Sequence, residues 1–294
     1  MRSTKAIVTS LLAIAGARIA IGGLLEFADD AANFGHLSQG LTNCPKMSCG
    51  ATALVNGLVF LENTQKDLYG TSLITGQQAG KSATQQQLID TANILSCDFL
   101  GNCPKDGGGS GLRIGDFIVG AFDYIDKQAP NTTDYAAEIT PAWDEQHPRH
   151  KRAEKPAGVD GRTRPTAQFL YDELAAGAAV EIFITYQQAG SSREASHYLT
   201  LTGIKFDPDK ASGTISFIDP DGGAATTQNV RFDKASGLLF MGYRRGTNTR
   251  IIDAVAEVPK TPADEVPEPA TIATALIGCS LIGLCRWTRP KRVS

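Results

Sequence analysis

The feature that most constrains this chain is a change of hydrophobic period near Thr166. Before it, apolar residues recur at helical spacing; after it, they alternate as in strands. In residues 50–65, Ala53, Leu54, Leu58 and Leu61, flanked by Val55 and Val59, give a wide apolar face that predicts a buried helix, although Asn56 and Gly57 weaken its propensity. Thr84 before Gln85-Gln86-Gln87-Leu88-Ile89-Asp90 predicts a capped second helix, and residues 114–127 a third. Residues 167–176 read as an amphipathic helix closed by Gly177. Strands are expected at 180–186, 196–204, 213–218 and 238–244, the third ending in the turn Asp219-Pro220-Asp221-Gly222-Gly223. Helices first and strands second argue an α+β fold in two lobes, the N-terminal one helical and the C-terminal one an antiparallel sheet.

The ends read differently from the middle. Met1-Arg2-Ser3-Thr4-Lys5, an apolar run from Ala6 and small residues around Ala13-Ile14-Ala15 and Ala15-Gly16-Ala17 fit a secretory signal peptide over 1–17. Residues 254–266, rich in Pro, Ala and acids, read as a solvated linker, which puts the folded domain at 26–253. Val266-Pro267-Glu268-Pro269, an apolar run from Ile272 to Cys285 and a basic tail through Arg292 complete the chain. Taken in that order over 267–294, these parts resemble the PEP-CTERM sorting signal of Gram-negative bacteria. The resemblance implies export, cleavage by an exosortase-type transpeptidase and a place at the cell surface or in an exopolysaccharide matrix. A plain C-terminal membrane anchor is the other reading of the same run.

Net charge is −3 over 294 residues, so no global basic field exists to hold a nucleic-acid backbone. The clustered His147, Arg149, His150, Lys151 and Arg152 sit in a proline-rich stretch, 128–165, that reads as a solvated crossover. Cys97 and Cys103 flank a turn-rich spacer and suit a local disulfide, while Cys44 paired with either is equally allowed. Their spacing does not suit zinc, and the chemistry expected below needs no cofactor.

Cys49 opens the first helix, where about half a positive charge favours the nucleophilic form of a thiol. His197 begins a strand, and Asp219 closes the neighbouring one. Two adjacent antiparallel strands can bring both to one end, with the carboxylate behind the imidazole. Taken singly, Cys49 suits a buried or disulfide-bonded thiol, His197 a strand residue and Asp219 a turn former. In the order Cys, His, Asp they form a nucleophilic triad.

These settings resemble the papain-like cysteine peptidases. Ser48-Cys49-Gly50-Ala51-Thr52-Ala53 resembles that family's nucleophile helix, and Thr84 to Asp90 its Ser-x-Gln-x-Leu-x-Asp helix. Asn102-Cys103-Pro104 with Gly107-Gly108-Gly109 and Phe122-Asp123-Tyr124-Ile125 resemble its Gly-Cys-x-Gly-Gly loop and following helix. Ser196-His197-Tyr198-Leu199-Thr200-Leu201-Thr202-Gly203 resembles its histidine strand. The family's tryptophan after the nucleophile is missing, and Asp219 stands where most members have Asn. Asp219 and the Cys49-Gly50-Ala51-Thr52 start are closer to the immunoglobulin-degrading streptococcal peptidases and other bacterial papain-like branches. The resemblance implies a two-lobed fold, a protein or peptide substrate and an oxyanion donor upstream of Cys49. Gln39 has the spacing of the streptococcal branch and Asn43 that of papain, and side-chain reach favours Gln39. The sequence leaves two other readings: a non-catalytic matrix protein on the same fold, and a transglutaminase-like acyl transferase.

Overall fold

The computed structural model describes residues 23–260 except 80, 104–111, 141–156, 162, 188–193 and 244–245. The two terminal signals, the triglycine 107–109 and the His/Arg cluster of 147–152 lie outside the described residues.

The chain is α+β. Helix α1 (Cys49–Thr64) is buried on nearly all sides, so its apolar residues surround it instead of forming a stripe. The two residues that weaken its helix propensity are explained by what they touch. Asn56, fully buried, accepts from Leu37 N–H at 2.9 Å through Oδ1 and donates to Leu37 O at 3.4 Å through Nδ2, pinning the incoming segment to the helix. A Cβ at Gly57 would lie 2.5 Å from Glu181 Oε1 and 3.1 Å from Ala179 Cβ, so only glycine lets the helix approach the sheet this closely. Gly57→Ala is therefore expected to destabilise the protein by about 1–3 kcal/mol in urea unfolding, even though alanine is the better helix former by about 1 kcal/mol.

Helix α2 (Lys66–Tyr69) is one turn. Helix α3 (Gln85–Ile94) starts with the expected cap, a reciprocal Thr84/Gln87 capping box, and runs into a π-helical turn, Leu95–Phe99, that carries Cys97. Helix α4 (Ile114–Gln128) follows, and α5 (Ala167–Ala175) is capped by Thr166. The chain leaves α5 through Gly177 at φ 80°, the left-handed turn expected there.

The strands are β1 (Leu25–Ala28), β2 (Thr133–Ile139), β3 (Val159–Gly161), β4 (Ala179–Gln187), β5 (Glu194–Asp207), β6 (Ser212–Asp219), β7 (Ala224–Asp233), β8 (Leu238–Tyr243) and β9 (Gly246–Pro259). From β5 to β9 each pairs antiparallel with the next. Strand β4 pairs with both β5 and β9, which closes these strands into a ring. Strand β1 extends the edge of β5, and β2 and β3 continue from β9, β3 running parallel to β2.

Alternation along β4 separates two cores. Val180, Ile182 and Ile184 point into the ring beside Leu199, Phe217 and Met241. Ala179 and Phe183 point the other way, to the helices, in a core built on Leu54, Leu58 and Phe117. Tyr198 of β5 stacks on Phe117 of α4 at 4.7 Å between ring centroids and meets Phe183 at 4.7 Å, which fixes the sheet against the helical side.

Three sequence-based expectations about extent need correction. The linker expected from residue 254 does not start there, because β9 runs to Pro259 and Ala254, Val255, Ala256 and Glu257 are buried. Small residues and acids suggested a solvated segment, but this stretch pairs with β4 on one side and β2 on the other. The stretch expected to be a solvated crossover, 128–165, contains strands β2 and β3. Structure also begins one residue earlier than expected, since Leu25 opens β1.

Candidate active site

The antiparallel β5–β6 ladder sets Thr200 opposite Ile218. That register puts His197, near the start of β5, at the same end as Asp219, the last residue of β6. His197 Nε2 lies 2.8 Å from Asp219 Oδ1. Cys49, first residue of α1, is close enough to the same ring that its thiol raises the pKa of His197. Since Asp219 occupies Nε2, Nδ1 is the nitrogen left for the sulfur. Thr200 Oγ1, three residues along β5, donates to Ala53 O at 2.7 Å and holds this strand to α1, so that the Cys49 thiol and the His197 ring share one rigid support.

Asp219 is well satisfied. Oδ1 also accepts Asp221 N–H at 2.9 Å, and Oδ2 accepts the Tyr243 hydroxyl at 3.0 Å. Burial alone would raise its pKa, but donors from His197, Asp221 and Tyr243 hold it below the usual carboxylate value. Burial would likewise push His197 down, yet its hydrogen bonds to Asp219 and Cys49 lift it to about 9. At neutral pH the ring is therefore positioned to hold a second proton between a thiol and a carboxylate.

Tyr243 was not anticipated from sequence. It lies in a strand foreseen only in outline, and nothing local marks its hydroxyl as a partner of Asp219. It is almost fully buried, and its ring centroid is 5.9 Å from that of His197. Tyr243→Phe removes one donor and keeps the packing. It is expected to lower kcat about tenfold, as Asp219 loses a contact that fixes its place behind His197.

Gln39 joins the site through the turn after Asp219. Its N–H donates to Pro220 O at 2.7 Å, its Nε2 makes a long contact of 3.4 Å with Asp221 Oδ1, and its Oε1 is buried with no hydrogen-bond partner among the described residues. Thr42 donates to Gln39 O at 2.8 Å and meets the Ser48 hydroxyl, tying this segment to the residue before the nucleophile. Asn43 is exposed, and its contact is through its backbone, N–H to Asn93 Oδ1 at 2.9 Å. Of the two oxyanion candidates, Gln39 is the one built into the Asp219 turn.

Gly50, after the nucleophile, is required by packing: a Cβ there would lie 2.5 Å from Leu112 Cδ2. Asn102 donates through Nδ2 to Met47 O and holds the loop closed by the Cys97–Cys103 disulfide against the segment leading to Cys49. Cys49 and Cys44 are free thiols.

Among the described residues, no group of His, Cys, Asp and Glu is arranged to hold a metal ion, and no helix is long and apolar enough to cross a membrane. A cleft of about 730 Å³ lies at the other end of β5 and β6, lined by Lys205, Ser212, Thr214, Gln228 and Arg231, and does not include Cys49, His197 or Asp219. No family model matches this chain, and no curated protein is significantly similar to it. The triad geometry therefore carries the functional argument.

Proposed function

We propose that this protein is a cysteine endopeptidase of the papain-like type, exported and sorted to the cell surface. The supporting observation is the arrangement of His197, with Nε2 on Asp219 at 2.8 Å and the Cys49 thiol close to the same ring. A helical side bearing the thiol and a strand ring bearing the base and acid fit the two lobes that the sequence resemblance implies.

The chemistry follows from the contacts. Cys49 Sγ, its proton already held on His197 Nδ1, attacks the scissile carbonyl carbon. The oxyanion is met by the Cys49 N–H at the start of α1, and by the Gln39 amide once substrate draws it from Asp221. His197 returns the proton to the departing amine. It then takes a proton from water, which hydrolyses the thioester and frees Cys49. Asp219, held by Asp221 and Tyr243, keeps Nε2–H directed away from the sulfur, so that Nδ1 does the proton transfer. No cofactor takes part.

The terminal signals support a place outside the cytoplasm, and the Cys97–Cys103 disulfide fits an oxidising compartment. The partners would be the export machinery, an exosortase-type enzyme and a protein or peptide substrate.

The test is an epoxide or iodoacetamide probe followed by mapping of the labelled cysteine, together with a peptidase assay. Cys49 should react about tenfold or more faster than in the denatured chain, with a rate that depends on His197. Labelling of Cys49 no faster than in the denatured chain overturns the reading. Activity should hold on the alkaline side up to about pH 9 and then fall, as His197 loses the proton it must return to the leaving group.

A further inference from the structure

Three other sulfurs lie in contact, one of them in the segment that leads to the proposed nucleophile. Cys97 and Cys103 are bonded, and Cys44 Sγ lies 3.3 Å from Cys103 Sγ. Cys44 is half-exposed and carries a free thiol. Attack by a thiolate on a disulfide sulfur needs this kind of approach and an accessible attacker.

Cys44 is also structurally linked to the catalytic segment. Its carbonyl accepts Met47 N–H at 2.9 Å, Ser48 N–H at 3.0 Å and the Ser48 hydroxyl at 2.9 Å. These bonds shape the turn that delivers Cys49 to the start of α1. On the other side, Asn102, adjacent to Cys103, holds Met47 O. A covalent change at Cys44 or Cys103 is thus transmitted to the nucleophile's segment through the backbone.

We propose that Cys44, Cys97 and Cys103 form a thiol–disulfide exchange site that switches how the segment before Cys49 is tethered. In the exchange, the Cys44 thiol loses its proton to solvent and its sulfur attacks Cys103 Sγ. The Cys44–Cys103 bond forms as the Cys97–Cys103 bond breaks, and the departing Cys97 thiolate takes up a proton. One disulfide and one thiol are present before and after, so no oxidant or reductant is consumed. In one state the disulfide closes only the short 97–103 loop and leaves the nucleophile segment held by hydrogen bonds. In the other it bonds that segment to the loop after α3, across a sequence separation of 59. Cys49 stays free in both, because its sulfur faces His197 instead of the cluster. The exchange itself does not depend on peptidase activity; only its effect on reactivity rests on the proposed function.

The test is disulfide mapping of the full chain by mass spectrometry. Samples are quenched in acid and alkylated at intervals during incubation at about pH 8, where thiolate is available. Both linkages should appear, Cys97–Cys103 and Cys44–Cys103, with the free thiol at Cys44 in the first and at Cys97 in the second. Their ratio should move toward a common value from either starting form. Cys97→Ser should yield the Cys44–Cys103 bond, and Cys44→Ser should lock the Cys97–Cys103 bond. The first of these should unfold at the higher temperature, because its crosslink closes the longer loop. Alkylation of Cys49 should differ between the two variants by about threefold or more, reading out the tether. A single linkage that stays fixed through the incubation, whichever one it is, overturns the proposal, as does recovery of Cys49 in a disulfide. If Cys97→Ser does not fold, the wild-type time course still decides. Because mapping requires no substrate, a failed exchange and a failed peptidase are told apart.

Discussion

Cys49→Ala is expected to lose about four to six orders of magnitude in kcat/KM against an unfolded protein substrate, with no loss of thermal stability. His197→Ala should fall to about the same level, and the double variant no further, because nucleophile and base act as one unit. Asp219→Asn should retain more activity than either, since the amide can still orient the ring but does not stabilise its charge. The residual activity in all three measures what Gln39 and the α1 N-terminus contribute to the oxyanion. Steady-state kinetics on the purified variants checks this. Cys49→Ala at wild-type rate would remove the triad from the mechanism, whereas a wild-type protein with no peptidase activity would favour the surface-protein reading.

The second large effect is on stability against pH. Several carboxyls are buried in the fold with raised pKa values. Burial lifts Asp29 to about 6 and Asp253 to about 7, the latter despite the Thr140 N–H it accepts. Burial also lifts Glu62 to about 7, against the N–H groups of Leu73 and Ile74 that bond it at 2.6 and 2.9 Å. Glu181 and Glu257 are fully buried side by side between β4 and β9, and the charge of Glu257 raises Glu181 further. None of their four oxygens has a hydrogen-bond partner among the described residues, so burial favours the neutral form of both.

For each acid the folded pKa lies above the unfolded value. The native state therefore binds the extra proton, and stability is complete below the unfolded pKa and lost as pH rises through the folded one. These groups place that loss between about pH 4 and pH 7. His197 adds to it: its folded pKa is near 9, so its contribution is full below its unfolded value near 6.5 and disappears as pH rises through 9. Asp219 works in the opposite sense and sets the acid limit, its contribution being lost as pH falls through its lowered pKa. The melting temperature should thus fall by on the order of 10 °C between about pH 5 and pH 9. Glu181→Gln, which replaces a buried acid by a neutral amide of the same shape, should flatten the slope on the alkaline side. Thermal unfolding across that range checks both, and a melting temperature that rises with pH contradicts the assignment.

The legible part of the protein was whatever local grammar encodes. Thr84 with Gln87, Thr166 before α5 and Gly177 after it are local rules, and each appears in the fold as a cap or a turn. The α+β order followed from the change of period at Thr166. Cys49 at a helix start, His197 at a strand start and Asp219 at a strand end were each visible as settings. Strand β9 was missed because Asp253 and Glu257 look solvent-facing in sequence. Their burial becomes possible only with Thr140 and Glu181 across the ladder, from strands distant in the chain.

What the sequence by itself determined was the type of each element and the order of the chemical groups, because period, capping and turn residues act over a few neighbours. The tertiary structure decided which atoms meet. The β5–β6 register brought Asp219 to His197, the β8 strand supplied the Tyr243 hydroxyl, and Asn56 and Gly57 proved to be contact residues where sequence showed only weakened helix propensity. It also set Cys44 against Cys103 while Cys49 faced His197. Pairing between groups far apart in the chain depends on register and close packing, which a local pattern does not encode.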